Sequence, residues 1–197
     1  DSFNSDISNW DVSSVTNMYG MFRYATSFNA DIVDWNVSNV TNMADMFHNA
    51  NQFNGNISTW DVSNVTNMHQ MFHIATIFNQ DLSSWNVSNV TNMAGMFWRA
   101  SNFNADISTW DVSSVNNMFA FLTQADSFNQ DLSSWNVSNV TNMSYMFHGA
   151  PLFNSDISSW DVSNVTNMDL IFDGGTGLSD ENKCAIHTSW STNTAWP

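Results

Sequence analysis

Apolar residues along this chain fall into columns 25 positions apart. Phe occupies Phe3, Phe28, Phe53, Phe78, Phe103, Phe128 and Phe153, and Trp follows in register from Trp10 and Trp35 through Trp135 and Trp160. A Met column runs from Met18 and Met43 to Met143 and Met168. Seven tandem units therefore fill residues 1–175 without an insertion, and residues 176–197 stand apart as a closing segment. Self-similarity at a period of 20–50 residues marks a repeat architecture, in which one unit is too small to fold alone and stability belongs to the stack.

Within the first unit, Ile7, Trp10 and Val12 are spaced L-x-x-L-x-L, a pattern that predicts a short strand. Val15, Met18, Met21, Phe22 and Ala25 then recur at steps of three and four, which predicts a short helix or 3₁₀ segment. Ser14, replaced by Asn39 and Asn64 in the next units, suits a helix N-cap there. The expected fold class is a leucine-rich-repeat-like solenoid with one short parallel strand and one short helix or 3₁₀ segment per 25-residue repeat. With strands about 4.8 Å apart and packed helices about 8–10 Å apart, such an array curves, strands inward. Past residue 175, Gly174, Gly175 and Gly177 end the pattern, and Ser179-Asp180-Glu181 predicts a helical cap running to Ser189. The pattern opens inside a unit at Asp1, so an upstream segment is expected.

Charge narrows the function classes. There are 18 acidic residues against Arg23, Arg99 and Lys183, a formal net charge of −15. Such a surface repels phosphate backbones and anionic headgroups, which argues against nucleic acid or bare membrane as partner. No apolar run reaches the ~20 residues that span a bilayer, so no membrane insertion is expected of this sequence. Cys184 stands alone in the closing segment and is expected to be a buried, inert thiol.

The string FNQDLSSWNVSNVTNM fills residues 78–93 and again 128–143, followed by Met-Phe and Ala. It resembles the BspA-like leucine-rich repeat surface proteins over all seven units, and the Asn182-Lys183 … Ile186-His187-Thr188-Ser189 tail is similar to that family's end. The resemblance implies a secreted or surface-exposed protein, extracellular or at the cell surface, with adhesion or partner binding as its role and no catalytic residues.

On that frame, residues flanking Trp10 and Val12 would face outward and form a strand face. One column alternates Asp11, Asn36, Asp61, Asn86, Asp111, Asn136 and Asp161, so that each amide can donate to acidic neighbours and the charges are spaced apart. Thr59 and Thr109 recur in the column beside it. These residues are the candidate binding face, either for a protein or glycan at a cell surface or, as an alternative, for ice through the Ser, Thr and Asn columns. Asp6, Asp31, Asp81, Asp106, Asp131 and Asp156 form a second row, broken by Asn56, that needs backbone amides to offset its repulsion. Bound Ca²⁺ is the alternative there, making a calcium-dependent assembly repeat; otherwise no cofactor is implied. On the outer side, His69 and His73 lie four apart on an expected helix, one unit from His48 and Asp45, a transition-metal candidate. Tyr24, Trp98 and Tyr145 are candidate partner anchors. The Trp and Met columns read as core. Nearly every polar residue is duplicated along the array, so no unique environment for an acid, base or nucleophile stands out and an enzyme is not expected.

Overall fold

A computed structural model describes residues 2–197. Among them there is a single helix, α1 (Asp180–Trp190), and no strand. The predicted strand-plus-helix solenoid of the leucine-rich-repeat kind is therefore not what the chain forms. Its 25-residue units are instead successions of tight turns.

The reason lies in the backbone. In every unit two residues four apart adopt left-handed conformations: Gly20 (φ 62) and Tyr24 (φ 60), Asp45 (φ 57) and Asn49 (φ 60), Gln70 (φ 51) and Ile74 (φ 59), and so on to Leu170 (φ 55) and Gly174 (φ 75). A right-handed helix admits no such residue. The three- and four-residue spacing of Val40, Met43, Met46, Phe47 and Ala50 buries all five, but through consecutive turns. Met46 N–H donates to Met43 C=O, His48 N–H to Asp45 C=O and Ala50 N–H to Phe47 C=O. The intervening amides bond outward: Met43, Asp45, Phe47 and Asn49 N–H donate to the carbonyls of Asn67, His69, Met71 and His73 in the next unit. Three of these donors thus close turns and four tie one coil to the next, which leaves few orphaned backbone groups.

Where a strand was expected, Trp60 N–H donates to Ile57 C=O and Val65 N–H to Val62 C=O, so both flanks are turns. Parallel pairing survives at one residue per coil, in isolated bridges from Asn17 with Asn42 through to Asn142 with Asn167. One bridged residue is too short to make a strand. Asn39 and Asn64, expected as helix caps, have no helix to cap; their side-chain amides donate to the Ser13 and Ser38 carbonyls of the preceding coil at 2.8 Å.

The core is a set of rows. Phe47 lies face to face with Phe53, six residues on, at 3.9 Å, and 5.6 Å from Phe22 and Phe72, its counterparts in the units before and after. On another side Trp85 stacks on Trp110 at 6.4 Å. Spacing this close on several sides gives the structure no helical layer to splay the coils, which removes the physical cause of the expected curvature. The fifth coil carries Phe121-Leu122 where its neighbours carry Met-Phe, and there the ladder breaks: Phe121 meets Phe97 edge-on at 81°. α1 follows the last coil. Ser179 caps it by accepting from Asn182 N–H, Asp180 and Glu181 occupy its first turn, and Ile186 and Trp190 are buried beneath it. Cys184 on α1 is exposed, contrary to expectation, because the helix buries its opposite side.

Candidate functional site

The residues expected to form an outward strand face hydrogen-bond the backbone, the Thr pair to the preceding coil and the Asp and Asn column to its own coil. Thr59 Oγ1 donates to Val33 C=O at 3.1 Å and Thr109 Oγ1 to Ser83 C=O at 3.2 Å, each in the preceding coil. Asp11, Asp61, Asp111 and Asp161 accept from the Ser13, Ser63, Ser113 and Ser163 amides at 3.0 Å. Asn36, Asn86 and Asn136 do the same with Ser38, Ser88 and Ser138 at 3.1–3.2 Å. The alternating column is thus a series of local Asx turns, its side-chain oxygens turned back onto their own coil and not toward the next carboxylate. Asp11, Asp61, Asp111 and Asp161 are held below the ordinary carboxylate range by the Ser side-chain and then the Ser backbone hydrogen bond. With no strand and these groups committed, the expected recognition, adhesion or ice-binding face does not exist.

The second carboxylate row behaves alike. Asp6, Asp81, Asp106, Asp131 and Asp156 accept from Ser8, Ser83, Ser108, Ser133 and Ser158 N–H at 2.9–3.0 Å, and Asp31 accepts from Val33 N–H at 3.1 Å. Backbone donation first, then Ser side chains, lowers Asp6, Asp81, Asp106 and Asp131. No group of three or more His, Cys, Asp or Glu able to hold a metal ion occurs among the described residues. Neither the Asp6-type row nor His48, His69 and His73 forms such a group.

His48 and His73 do come together, without metal-binding geometry. Asp45, buried, accepts from His48 Nδ1 at 2.9 Å and lies 3.9 Å from Arg23. The His48 ring packs on His73 at 4.4 Å, and the Trp98 ring lies flat on His73 at 4.5 Å. Burial first, then His48 and Arg99, lowers His73 from 6.5 to about 4. Trp98 is therefore a packing element. Tyr145 is half-buried, 5.9 Å from Phe119, and only Tyr24, 50 % exposed beneath Arg23, stands clear. The three aromatic residues lie along one row of rings, Tyr24 on His48 at 5.2 Å, His73 on Trp98 at 4.5 Å, and Phe119 between Trp98 and Tyr145 at 6.4 and 5.9 Å.

Sequence reasoning passed over a different place. Arg99 Nε donates to Gln124 Oε1 at 2.8 Å beside an open groove of about 570 Å³ whose far side is made by Gly149 and Gly174. The readable signal was a column that loses its side chains, from Tyr24, Asn49, Ile74, Arg99 and Gln124 to two glycines.

A family described as Mycoplasma protein of unknown function, DUF285, matches residues 1–93 and 76–185. The chain belongs to that family. The DUF285 match, with the absence of strands among the described residues, replaces the expected BspA-like leucine-rich repeat membership and the surface-adhesion role attached to it. No curated protein matches this DUF285 chain.

Proposed function

We propose that the chain is a structural spacer, without catalytic chemistry of its own, whose length is set by the number of 25-residue coils. The observation that carries this reading is the Trp column: Trp35, Trp60, Trp85, Trp110, Trp135 and Trp160 each donate Nε1–H to a carbonyl of the preceding coil at 3.0–3.2 Å. With the Thr and Asn side chains that donate the same way, each coil is cross-linked to the one before by donors on several sides. Such a stack resists shear and bending because a displacement breaks many bonds together.

The reading is tested by placing fluorophores at the two ends and deleting whole units, for instance residues 76–100. The expected result is a folded protein in which each deletion shortens the end-to-end distance by about 5 Å. A distance independent of unit number contradicts it.

An extracellular or cell-surface setting is part of the proposal. Its support is the acidic composition, with three basic residues to offer trypsin-type cleavage sites. No described helix is long and apolar enough to cross a membrane. The exposed Cys184 thiol gives a direct check. Labelling by a membrane-impermeant maleimide on intact cells is expected, and labelling only after lysis would refute this setting.

A further inference from the structure

The coils are alike around most of their circumference, and one varying row makes the Arg99 groove. Position by position, Ile74, Arg99 and Gln124 are followed by Gly149 (φ 63) and Gly174 (φ 75), so the groove exists where two side chains are missing. His148 closes one end, its Nε2 edge 3.3 Å from where a Cβ would stand on Gly174.

Arg99 is a cation in a chain of 18 acids, yet no carboxylate lies within ion-pair distance of it among the described residues. The bond from its Nε to Gln124 fixes the guanidinium plane and leaves the two terminal nitrogens in the geometry that grips a carboxylate bidentately. The same groove is lined by Asp126, Ser101 and Thr76. A simple organic acid would satisfy Arg99 but be repelled by Asp126, and a neutral sugar would satisfy Asp126 but leave the guanidinium unmatched. A ligand bearing a carboxylate at one end and hydroxyls at the other satisfies both.

We propose that this groove binds a uronic-acid unit of an acidic carbohydrate. The carboxylate sits on Arg99, hydroxyls donate to Asp126, and the Gln124 amide and Ser101 hydroxyl supply the remaining polar contacts. Only this part of the sequence has the combination, since Arg99 is the one arginine of a column that ends in Gly149 and Gly174, and the other Asp of the Asp126 column is Asp1, in the first unit.

Calorimetric titration of the full chain with tri-galacturonate tests the proposal, with maltotriose and acetate as controls. The expected result is saturable one-to-one binding, weakened about tenfold or more by Arg99→Ala and measurably by Asp126→Asn, while neither control competes. Thermal melting establishes that each variant folds. Should Arg99→Ala fail to do so, Arg99→Lys decides, since an ammonium keeps the charge without the bidentate fork and is expected to weaken binding. No binding of tri-galacturonate at millimolar concentration, equal binding of maltotriose or acetate, or unchanged affinity in a folded Arg99 variant overturns it.

Discussion

The two ends of the stack are made from the same coil and finished differently. At the C-terminal end, α1 and the residues after it supply what a following coil would. Ser179 N–H donates to Asn154 Oδ1 at 2.8 Å, reproducing the bond that Asn154 N–H makes to Asn129 Oδ1. Ser189 Oγ donates to Ser158 C=O at 2.6 Å, and Asn193 Nδ2 to Val162 C=O at 2.6 Å. Trp190 lies on Trp160 at 6.2 Å and is 1 % exposed. At the other end Trp10, the same column's first member, is 53 % exposed, and Met21 is 37 % exposed. The Trp, Asn and Thr side chains of these columns donate back along the chain, so on that side the last coil presents carbonyls that need donors, whereas the Met43-type backbone amides donate forward. A coil's end is closed by any backbone that brings the right donors and one flat ring, and a helix serves.

The largest test of that contrast is truncation of the end rings. Trp190→Ala is expected to cost about 3–5 kcal/mol, as for a buried aromatic, and Trp10→Ala less than about 1 kcal/mol. Urea unfolding of both variants measures the difference, and equal losses would remove the distinction between the ends.

Acidification comes next, and it acts on the coils nearer the open end. His73 is lowered to about 4 in the fold against 6.5 for a free imidazole, so the unfolded chain binds the proton first. Stability is therefore full above pH 6.5 and declines as pH falls toward 4. The Asp rows, with lowered values, add their loss only as pH drops below 3.8. His73→Gln is expected to flatten the upper part of a stability-against-pH curve measured by urea midpoints, and an unchanged slope would contradict the assignment.

A finer comparison uses one atom. Trp160 Nε1 donates to Leu132 C=O at 3.0 Å, whereas Trp190 Nε1 is buried without a partner among the described residues. Trp160→Phe removes one of two donors to the Leu132 carbonyl, which keeps Trp135 N–H, and is expected to cost about 1 kcal/mol; Trp190→Phe removes an unpaired donor and is expected to be near neutral. Thermal melts of the pair distinguish a bonded ring from a packed one. Smallest of all, Ile74 is β-branched at φ 59, and Ile74→Gly should relieve up to about 1 kcal/mol of backbone strain, less what its half-buried side chain contributed. A higher melting temperature is the expected sign, and a lower one would show that packing outweighs strain.

These residues also show what could be read in advance. The inward columns of Phe, Trp and Met were legible because burial imposes the same residue type at every pass. The closing helix was legible from Ser179 and the acidic residues after it. The backbone between was not. Val40, Met43, Phe47 and Ala50 carry helical spacing, and the left-handed residues that forbid a helix are Asp45 and Asn49 in one coil but Ala120 and Gln124 in another, with no shared residue type to flag them. The Asp and Thr columns looked like a display surface because repetition on the outside of a sequence unit does not reveal whether a side chain faces solvent or bonds the neighbouring coil. The Arg99 groove escaped notice because it is made by what is missing at Gly149 and Gly174.

The account rests on backbone donors that leave their own coil. Phe47 N–H decides between the alternatives, since it donates to Met71 C=O at 2.9 Å here, whereas a helix would send it to Met43. Scalar coupling across that hydrogen bond, measured by NMR on uniformly labelled protein, is predicted to link the Phe47 amide nitrogen to the Met71 carbonyl carbon. A coupling from Phe47 to the Met43 carbonyl would contradict the stacked-coil account outright.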